Sequence, residues 1–258
     1  MFELEKASWL DVQVAAKVGE NFGSIVGPDF QRNEKGDILI DPQTGLPQYD
    51  KSNHVLGNAS WDWTGGLLTN FTYKNISLVA VFDVKVGADL YSMSARAAHE
   101  SGKSPETLAG RGAWYRSEEE RLAAGIAKGA DNWKPTGGFV APGVIDNGDG
   151  TYRPNDIYIN PEDYWMSVCR NAPSMFIYDN SYVKCRELTL SYNVPKSWLK
   201  NVVSGLTVSF VARNPFIVWK NIPNIDPDSN YNNTTGMGLE YGSLPSRRSY
   251  GFNVNVKF

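Results

Sequence analysis

The sequence predicts an all-β fold, built as an antiparallel sheet of the transmembrane-barrel type. Three observations support this prediction. The last nine residues alternate strictly between apolar side chains and small, polar or charged ones. Two earlier stretches, at about 64–73 and 76–91, show a similar two-residue period around a short turn. Long and short connections then alternate along the chain, as expected when strands cross a bilayer and only one end carries large loops.

The carboxyl-terminal strand, at about 247–258, is the most informative element. Side chains alternate across a strand, so its large apolar residues share one face and its polar residues share the other. Such a strand would promote aggregation in water, whereas an outer face in contact with lipid removes that hazard. The apolar face is formed by Tyr250, Phe252, Val254, Val256 and Phe258.

The remaining strands follow from the same alternation. The strands at 64–73 and 76–91 are joined by Lys74-Asn75, which fits a two-residue hairpin turn. A third strand is predicted at about 182–192 and a fourth at about 205–218. Residues 63–258 are therefore expected to be the carboxyl-terminal barrel segment. The stretch 1–62 is expected to be a loop and hairpin region preceding it.

The two long connections, at about 92–181 and 219–246, are predicted to be extracellular loops containing short helices. Asn160-Pro161 and Ser104-Pro105 fit an N-cap followed by a first-turn proline, and Ser117 with Glu120 fits a capping box. Asp146–Tyr152 has the composition of a turn and predicts a small hairpin within the first loop.

Composition and charge exclude several other classes. The formal net charge is -3 with no basic stripe, which argues against a nucleic-acid partner. No apolar run is long enough for a transmembrane helix. The first ten residues lack the pattern of a secretory signal, so we expect the chain to be a carboxyl-terminal segment of a longer protein.

Catalysis and cofactor binding find little support in the sequence. His54 and His99 are isolated, and no nucleophile or phosphate-binding motif is present. We therefore predict neither an enzyme nor a bound cofactor. Cys169 and Cys185 allow one disulfide at most, and two separate buried thiols are favoured over a bridge.

Six segments together resemble a known family, namely Val18–Gly27, Leu56–Gly66, Phe71–Asn75, Tyr178–Pro195, Ala212–Phe216 and Ser246–Phe252. They are similar to the carboxyl-terminal part of the SusC/RagA family, whose members are TonB-linked outer-membrane transporters of Bacteroidetes. The resemblance implies a 22-stranded barrel with an amino-terminal plug, a SusD-like lipoprotein lid, and import of glycans or peptides with energy from TonB. The plug and the TonB-contacting segment are not in this chain, so TonB would act through the missing amino-terminal part.

Three groups of residues are candidate functional sites. The five apolar residues of the last strand resemble the signal by which the barrel-assembly machinery recognises its clients. Aromatic residues in the first long loop are candidates for contact with substrate or lid, namely Trp114, Trp133, Tyr164 and Trp165. Asp226, Asp228 and Asn230 have the spacing of an incomplete calcium loop, although turn capping is the favoured interpretation.

The predicted function is thus the carboxyl-terminal wall of a SusC-like transporter in the outer membrane. Its expected surroundings are membrane lipid, a SusD-like lipoprotein and a glycan or peptide substrate. A soluble all-β glycan-binding module is the main alternative. A truncated gene product with no independent function is the other.

Overall fold

A computed structural model describes residues 2–7, 12–199, 203–230 and 236–258. In chain order, the strands are β1 (Phe2–Ala7), β2 (Val12–Ala16), β3 (Ser24–Phe30), β4 (Tyr49–Asn58), β5 (Trp63–Tyr73), β6 (Ile76–Val86), β7 (Asp89–Ser92), β8 (Phe139–Val140), β9 (Val144–Asp146), β10 (Tyr152–Pro154), β11 (Tyr158–Ile159), β12 (Ile177–Asp179), β13 (Tyr182–Asn193), β14 (Gly205–Lys220), β15 (Leu239–Glu240) and β16 (Ser249–Lys257). The α-helices are α1 (Met93–Glu100), α2 (Arg111–Ala123) and α3 (Pro161–Asn171).

A five-stranded antiparallel sheet forms the wall of the molecule, in the order β16-β14-β13-β6-β5. Strands β5 and β6 pair without a shift from Trp63↔Val86 to Tyr73↔Ile76, so the turn contains only Lys74 and Asn75. Lys74 adopts the left-handed conformation that such a turn requires. The all-β antiparallel class predicted from the sequence is confirmed.

A second body packs at the end of the wall opposite this turn. Its hydrophobic core combines three separate parts of the chain: the β2–β4 region, the stretch from Tyr91 to Phe176, and Leu239 of β15. The largest completely buried side chains in this core include Tyr91, Phe176 and Ile25. The long connections are therefore not independent loops, because they share one core.

Glu240 fastens the last connection to this body. Its carboxylate is 1% exposed and accepts hydrogen bonds from Ser92 Oγ at 2.8 Å, Ser94 N at 3.1 Å and Ser94 Oγ at 2.6 Å. Ser92 is also the N-cap of α1. A buried carboxylate is costly without partners, and these three contacts lie at a helix start, where negative charge is favoured. Ser243 N donates to the same carboxylate at 3.1 Å.

The structure differs from two of the strand predictions. The strand predicted at 76–91 ends at Val86, because Gly87 turns the chain with φ +90° and residues 89–92 join a different sheet with β12 and β15. Residues 1–62 contain more than a loop and a hairpin. Strands β1 to β4 form a four-stranded antiparallel sheet within that stretch.

The helix-start predictions have mixed outcomes. Asn160 caps α3 by accepting from Glu162 N at 3.1 Å, as predicted. The capping box at Ser117 is wrong, because α2 already begins at Arg111 and Ser117 accepts instead from Thr136 N at 3.0 Å. The small hairpin at 146–152 is confirmed by the pairing of β9 with β10.

Both cysteines are free and buried, with Cys169 in α3 and Cys185 in β13. Burial raises the pKa of the Cys169 thiol to about 12, which keeps it protonated at neutral pH. The favoured interpretation of two separate thiols is confirmed. Among the described helices, none has the length and apolar character needed to cross a membrane.

Candidate functional site

One face of the wall is apolar across all five strands. The cross-strand register aligns one apolar residue from each strand into a continuous row. Phe71 and Phe252, at the two ends of this row, are 68% and 79% exposed. A face of this kind is stable against hydrocarbon and unstable against water. The row consists of Phe71, Leu78, Leu190, Phe210 and Phe252.

The opposite face carries a polar row beside this apolar one. The row displaced by one residue along each strand contains only hydroxyl and amide side chains. Within this row, two pairs of neighbouring side chains are linked by hydrogen bonds. Thr72 Oγ1 lies 3.0 Å from Ser77 Oγ, and Ser191 Oγ lies 2.8 Å from Ser209 Oγ. At this level the wall therefore has an apolar outer face and a polar inner face, although the inner face also carries Val79, Val81 and Val211 further along the strands. This inner row consists of Thr72, Ser77, Ser191, Ser209 and Asn253.

The strand lengths match the thickness of a bilayer. Strands β5 and β6 each contain 11 residues. At about 3.4 Å per residue they span about 37 Å, and a tilt of about 45° reduces this to about 26 Å across the membrane. The apolar band of a transmembrane barrel is about 25 Å tall. Strand β14, with 16 residues, is long enough to extend beyond that band.

A buried ionic cluster lies on the inner face, where β13 and β14 meet the second body. Lys184, whose side chain is only 2% exposed, donates to Asp226 Oδ1 at 3.1 Å and to Asp228 Oδ2 at 2.5 Å. Its ammonium also donates to Ser246 Oγ at 2.5 Å. One lysine of the wall thus contacts both ends of the connection between β14 and β16.

Arg186 extends this cluster across the sheet. The pairing of β13 is interrupted between Cys185 and Glu187 on both sides, and against β6 Arg186 is the extra residue of a β-bulge. Its guanidinium donates to Asp83 Oδ2 at 2.6 Å and to Asp228 Oδ1 at 2.9 Å. Asp228 therefore has a cation on two sides, and β6, β13 and the last connection are tied together.

The charges explain the ionisation of the two aspartates. Burial alone would raise the pKa of Asp228, but hydrogen bonds from Arg186, Lys184 and Tyr182 hold that pKa well below its usual range. Burial also opposes ionisation of Asp226, and hydrogen bonds led by Ser246 lower its pKa as well. Both carboxylates are therefore ionised at neutral pH.

The predicted calcium-like motif has a different role in this geometry. Asp226 Oδ1 accepts from Asp228 N at 3.1 Å, which is the turn-capping contact that the sequence favoured. Asn230 Oδ1 accepts from Gly238 N at 3.2 Å. Across the described ranges, no group of three or more His, Cys, Asp or Glu side chains is placed to hold a metal ion.

The aromatic candidates separate into two pairs. Trp114 and Trp133 both line a cleft of about 930 Å³ in the second body, together with Tyr158, Arg153 and the 42–46 turn. A cleft of this size can hold a small oligomeric ligand. A contact role for Trp114 and Trp133 remains a prediction.

Tyr164 and Trp165 are core residues, which corrects the prediction for them. Tyr164 is 3% exposed and packs against Phe139, with ring centroids 4.6 Å apart. Trp165 is 8% exposed and packs against His99 at 4.7 Å. They point inward because α3 must bury one face against the core. Trp165 also lines a cavity of about 250 Å³, which Trp114 borders as well.

Comparison with known proteins agrees with this geometry. No protein-family model matches the chain. Over 95 residues, covering 34% of the chain and 10% of the relative, it is 32% identical to TonB-dependent receptor P3 of Formosa agariphila. It also superposes on the RagAB peptide importer in the "closed-closed" state, with a TM-score of 0.56, 16% identity, and coverage of 98% of this chain and 25% of that one.

A second structure of the RagAB peptide transporter superposes with a TM-score of 0.53 and 16% identity, covering 96% of this chain and 25% of the other. The chain is similar to TonB-dependent receptors of the SusC/RagA type. The resemblance predicted from the sequence is confirmed, and with it the outer-membrane location. The SusC/RagA-like chain spans about a tenth of the length of the receptor it matches and about a quarter of the solved importer chains.

The depressed pKa of Asp228 predicts how the ionic cluster responds to acid. A folded-state pKa below the unfolded value of about 3.9 contributes stability that is complete above that value and is lost as the pH falls toward the folded pKa. We expect the difference in thermal stability between the wild type and Asp228→Asn to be largest near pH 7 and to shrink below about pH 4. Thermal unfolding in detergent at pH 7 to 3 measures this difference. A gap that stays constant over the range would contradict it.

Proposed function

We propose that this chain forms the carboxyl-terminal wall of a TonB-dependent transporter, with the second body outside the membrane. This transporter imports glycans or other nutrient oligomers with a SusD-like lipoprotein. Residues 63–258 supply the barrel segment with its long loops in this proposal. The preceding residues contribute, together with those loops, to the second body. The chain provides wall, surface and assembly signal, and it has no catalytic role. TonB acts on the amino-terminal part of the same transporter.

The observation that carries this proposal is the pair of adjacent rows in the wall. One row is apolar from β5 to β16, and the neighbouring row is polar over the same five strands. A soluble module would need a second layer over the apolar row. In the described part of the chain no such layer is present, because residues such as Phe252 and Leu190 remain exposed.

The proposed partners follow from the similarity to the solved transporters and from the position of the second body. The solved relatives are described as a peptide importer and a peptide transporter, so peptides stand beside glycans as the candidate substrate class. The 930 Å³ cleft with Trp114 and Trp133 lies in the second body, which packs beyond the wall. That body is where we place contacts with the lipoprotein and the substrate.

The last strand is proposed to be the assembly signal. Tyr250, Phe252, Val254 and Val256 lie on the outer face of β16, the edge strand of the sheet, and Phe258 follows at 96% exposure. An exposed edge can be recognised by strand addition. Deleting Phe258 is expected to reduce the amount of protein in the outer membrane severalfold, as measured by immunoblotting of membrane fractions. A deletion variant that inserts at the wild-type level would remove this assignment.

The function is tested in cells that produce the protein containing this chain. We expect it in the outer-membrane fraction, with a gel mobility that changes on boiling, as a folded barrel shows. Uptake of the oligomeric substrate should cease when TonB is deleted, while the amount of the protein in the outer membrane stays the same. Recovery as a soluble monomer without detergent would instead support a glycan-binding module.

A further inference from the structure

A pocket of about 340 Å³ lies beside the ionic cluster, between the end of β14 and the connection that returns to β16. Strand β16 pairs with β14 only as far as Arg213, so the segment around Ser246 leaves a gap along the rest of β14. Lys220 faces the inner side of the wall, because it is paired with Tyr182 in the same register that places Lys184 opposite Asp83. Lys220 therefore reaches the pocket from the polar side, while Phe216, which is paired with Cys185, borders it from the outer face.

The single acidic residue in the pocket has no free acceptor capacity. Asp226 accepts from Lys184, Asp228 N and both the amide and the hydroxyl of Ser246. Lys184 in turn uses its ammonium protons on Asp226, Asp228 and Ser246. These two charges neutralise each other, and neither is available to a ligand.

The two remaining charged groups of the pocket, Lys220 and Arg248, are both donors. Lys220 donates to Ile225 O at 2.5 Å, which leaves two ammonium protons. No described carboxylate forms an ion pair with it, and Asp226, which is paired with Lys184, acts on it only at longer range. Arg248 also lines the pocket and makes no ion pair with any described residue. A guanidinium carries five N–H donors and an ammonium three. Two cations at one place thus lack an ion-pair partner among the described residues.

The surrounding charge makes this excess specific. The whole chain carries a formal net charge of -3, so a local positive excess is not a general property of its surface.

The backbone around the pocket is also unusual. Asn214 and Asn224, both lining residues, are two of the three described non-glycine residues with left-handed backbone conformation. Such conformations concentrate where a site shapes the backbone.

We propose that this pocket binds a carboxylate group of the transported ligand, with Lys220 and Arg248 as its cationic contacts. The inference rests on the proposed transport function and assigns a charge class to its substrate. A lysine provides a point charge and an arginine a planar pair of donors, which together suit a carboxylate. The carboxylate can belong to an acidic peptide or to an acidic glycan.

Equilibrium binding to the detergent-solubilised full-length protein tests this inference. The acidic probes are triglutamate and trigalacturonate, and their neutral counterparts are triglutamine and trigalactose. We expect wild-type protein to bind at least one acidic probe more tightly than its neutral counterpart. Loss of two charged hydrogen bonds in Lys220→Met/Arg248→Gln should weaken that acidic binding about tenfold or more. Whichever acidic probe binds identifies the peptide or the glycan source.

Arg247→Gln is the matched control, because it removes a neighbouring exposed arginine that does not line the pocket. It should change acidic binding by less than about twofold. The inference is overturned if neither acidic probe binds, if the double variant binds them as the wild type does, or if neutral binding falls equally. A protein absent from the outer membrane would instead contradict the proposed function, so the two failures are distinguishable.

Discussion

Replacing Lys184 with methionine should destabilise the protein by about 3–5 kcal/mol, the range typical of breaking a buried ion pair by removing one partner. Methionine keeps most of the length of the side chain but leaves Asp226 and Asp228 without their shared cation. Because Lys184 also contacts Ser246, the connection between β14 and β16 should loosen at both ends. Thermal unfolding in detergent and the rate of chymotrypsin cleavage within that connection measure the two effects.

Arg213→Gln is the matched control for this substitution. Arg213 forms an ion pair with Glu187 at 3.5 Å on the inner face, but its side chain is 68% exposed. An exposed pair contributes little, so this variant should unfold near the wild-type temperature. The double variant Lys184→Met/Asp226→Asn should recover part of the loss. Equal stability of Lys184→Met and Arg213→Gln would show that the cluster does not anchor the connection.

Placing arginine at Leu190 should cost about 2–4 kcal/mol of unfolding free energy in lipid vesicles if the site lies near the centre of the bilayer. Leu190 is central to the apolar row, with Leu78 on one side and Phe210 on the other. A guanidinium there must either enter hydrocarbon or pull the strand toward the interface. Denaturant titration of vesicle-inserted protein measures this cost.

Ser191→Arg is the control one residue along the same strand. Its side chain faces the polar side, beside Ser209 and Ser77. It should cost much less than Leu190→Arg, since the added charge reaches water and loses only one hydroxyl hydrogen bond. Similar costs for the two variants would mean that the two faces meet the same environment.

The strand alternation predicted the wall well because it is a local property. Tyr250 to Val256 share a face whatever they pair with, and the hairpin turn at Lys74-Asn75 is set by adjacent residues. The end of β6 was harder to predict. Apolar residues continue past Val86, and only the left-handed Gly87 shows where the chain leaves the sheet.

The second body could not be predicted from local patterns. Its core joins Val14, Val168 and Leu239, which are far apart in the sequence. Without that pairing, Tyr164 and Trp165 resemble exposed loop aromatics. Their helical spacing from Val168 is the signal that could have placed them in a core.

The ionic cluster was also missed, although its components were visible. Lys184 and Arg186 lie two residues apart in β13, and two aspartates flank Pro227 in the connection that follows β14. Nothing in the sequence gives the distance between these segments. The contact depends on the β-bulge at Arg186 and on the return of the connection past Ser246.

The orientation of the wall is tested most directly by spin labels placed singly at residues 187 to 193 in a Cys169→Ser/Cys185→Ser background, in lipid vesicles. Accessibility to oxygen, which concentrates in lipid, and to a water-soluble nickel chelate should alternate with a period of two residues. The label at 190 is expected to be accessible to oxygen and the label at 191 to nickel. Equal accessibility at the two positions, or nickel accessibility at 190, would contradict an apolar face in lipid and a polar face in water.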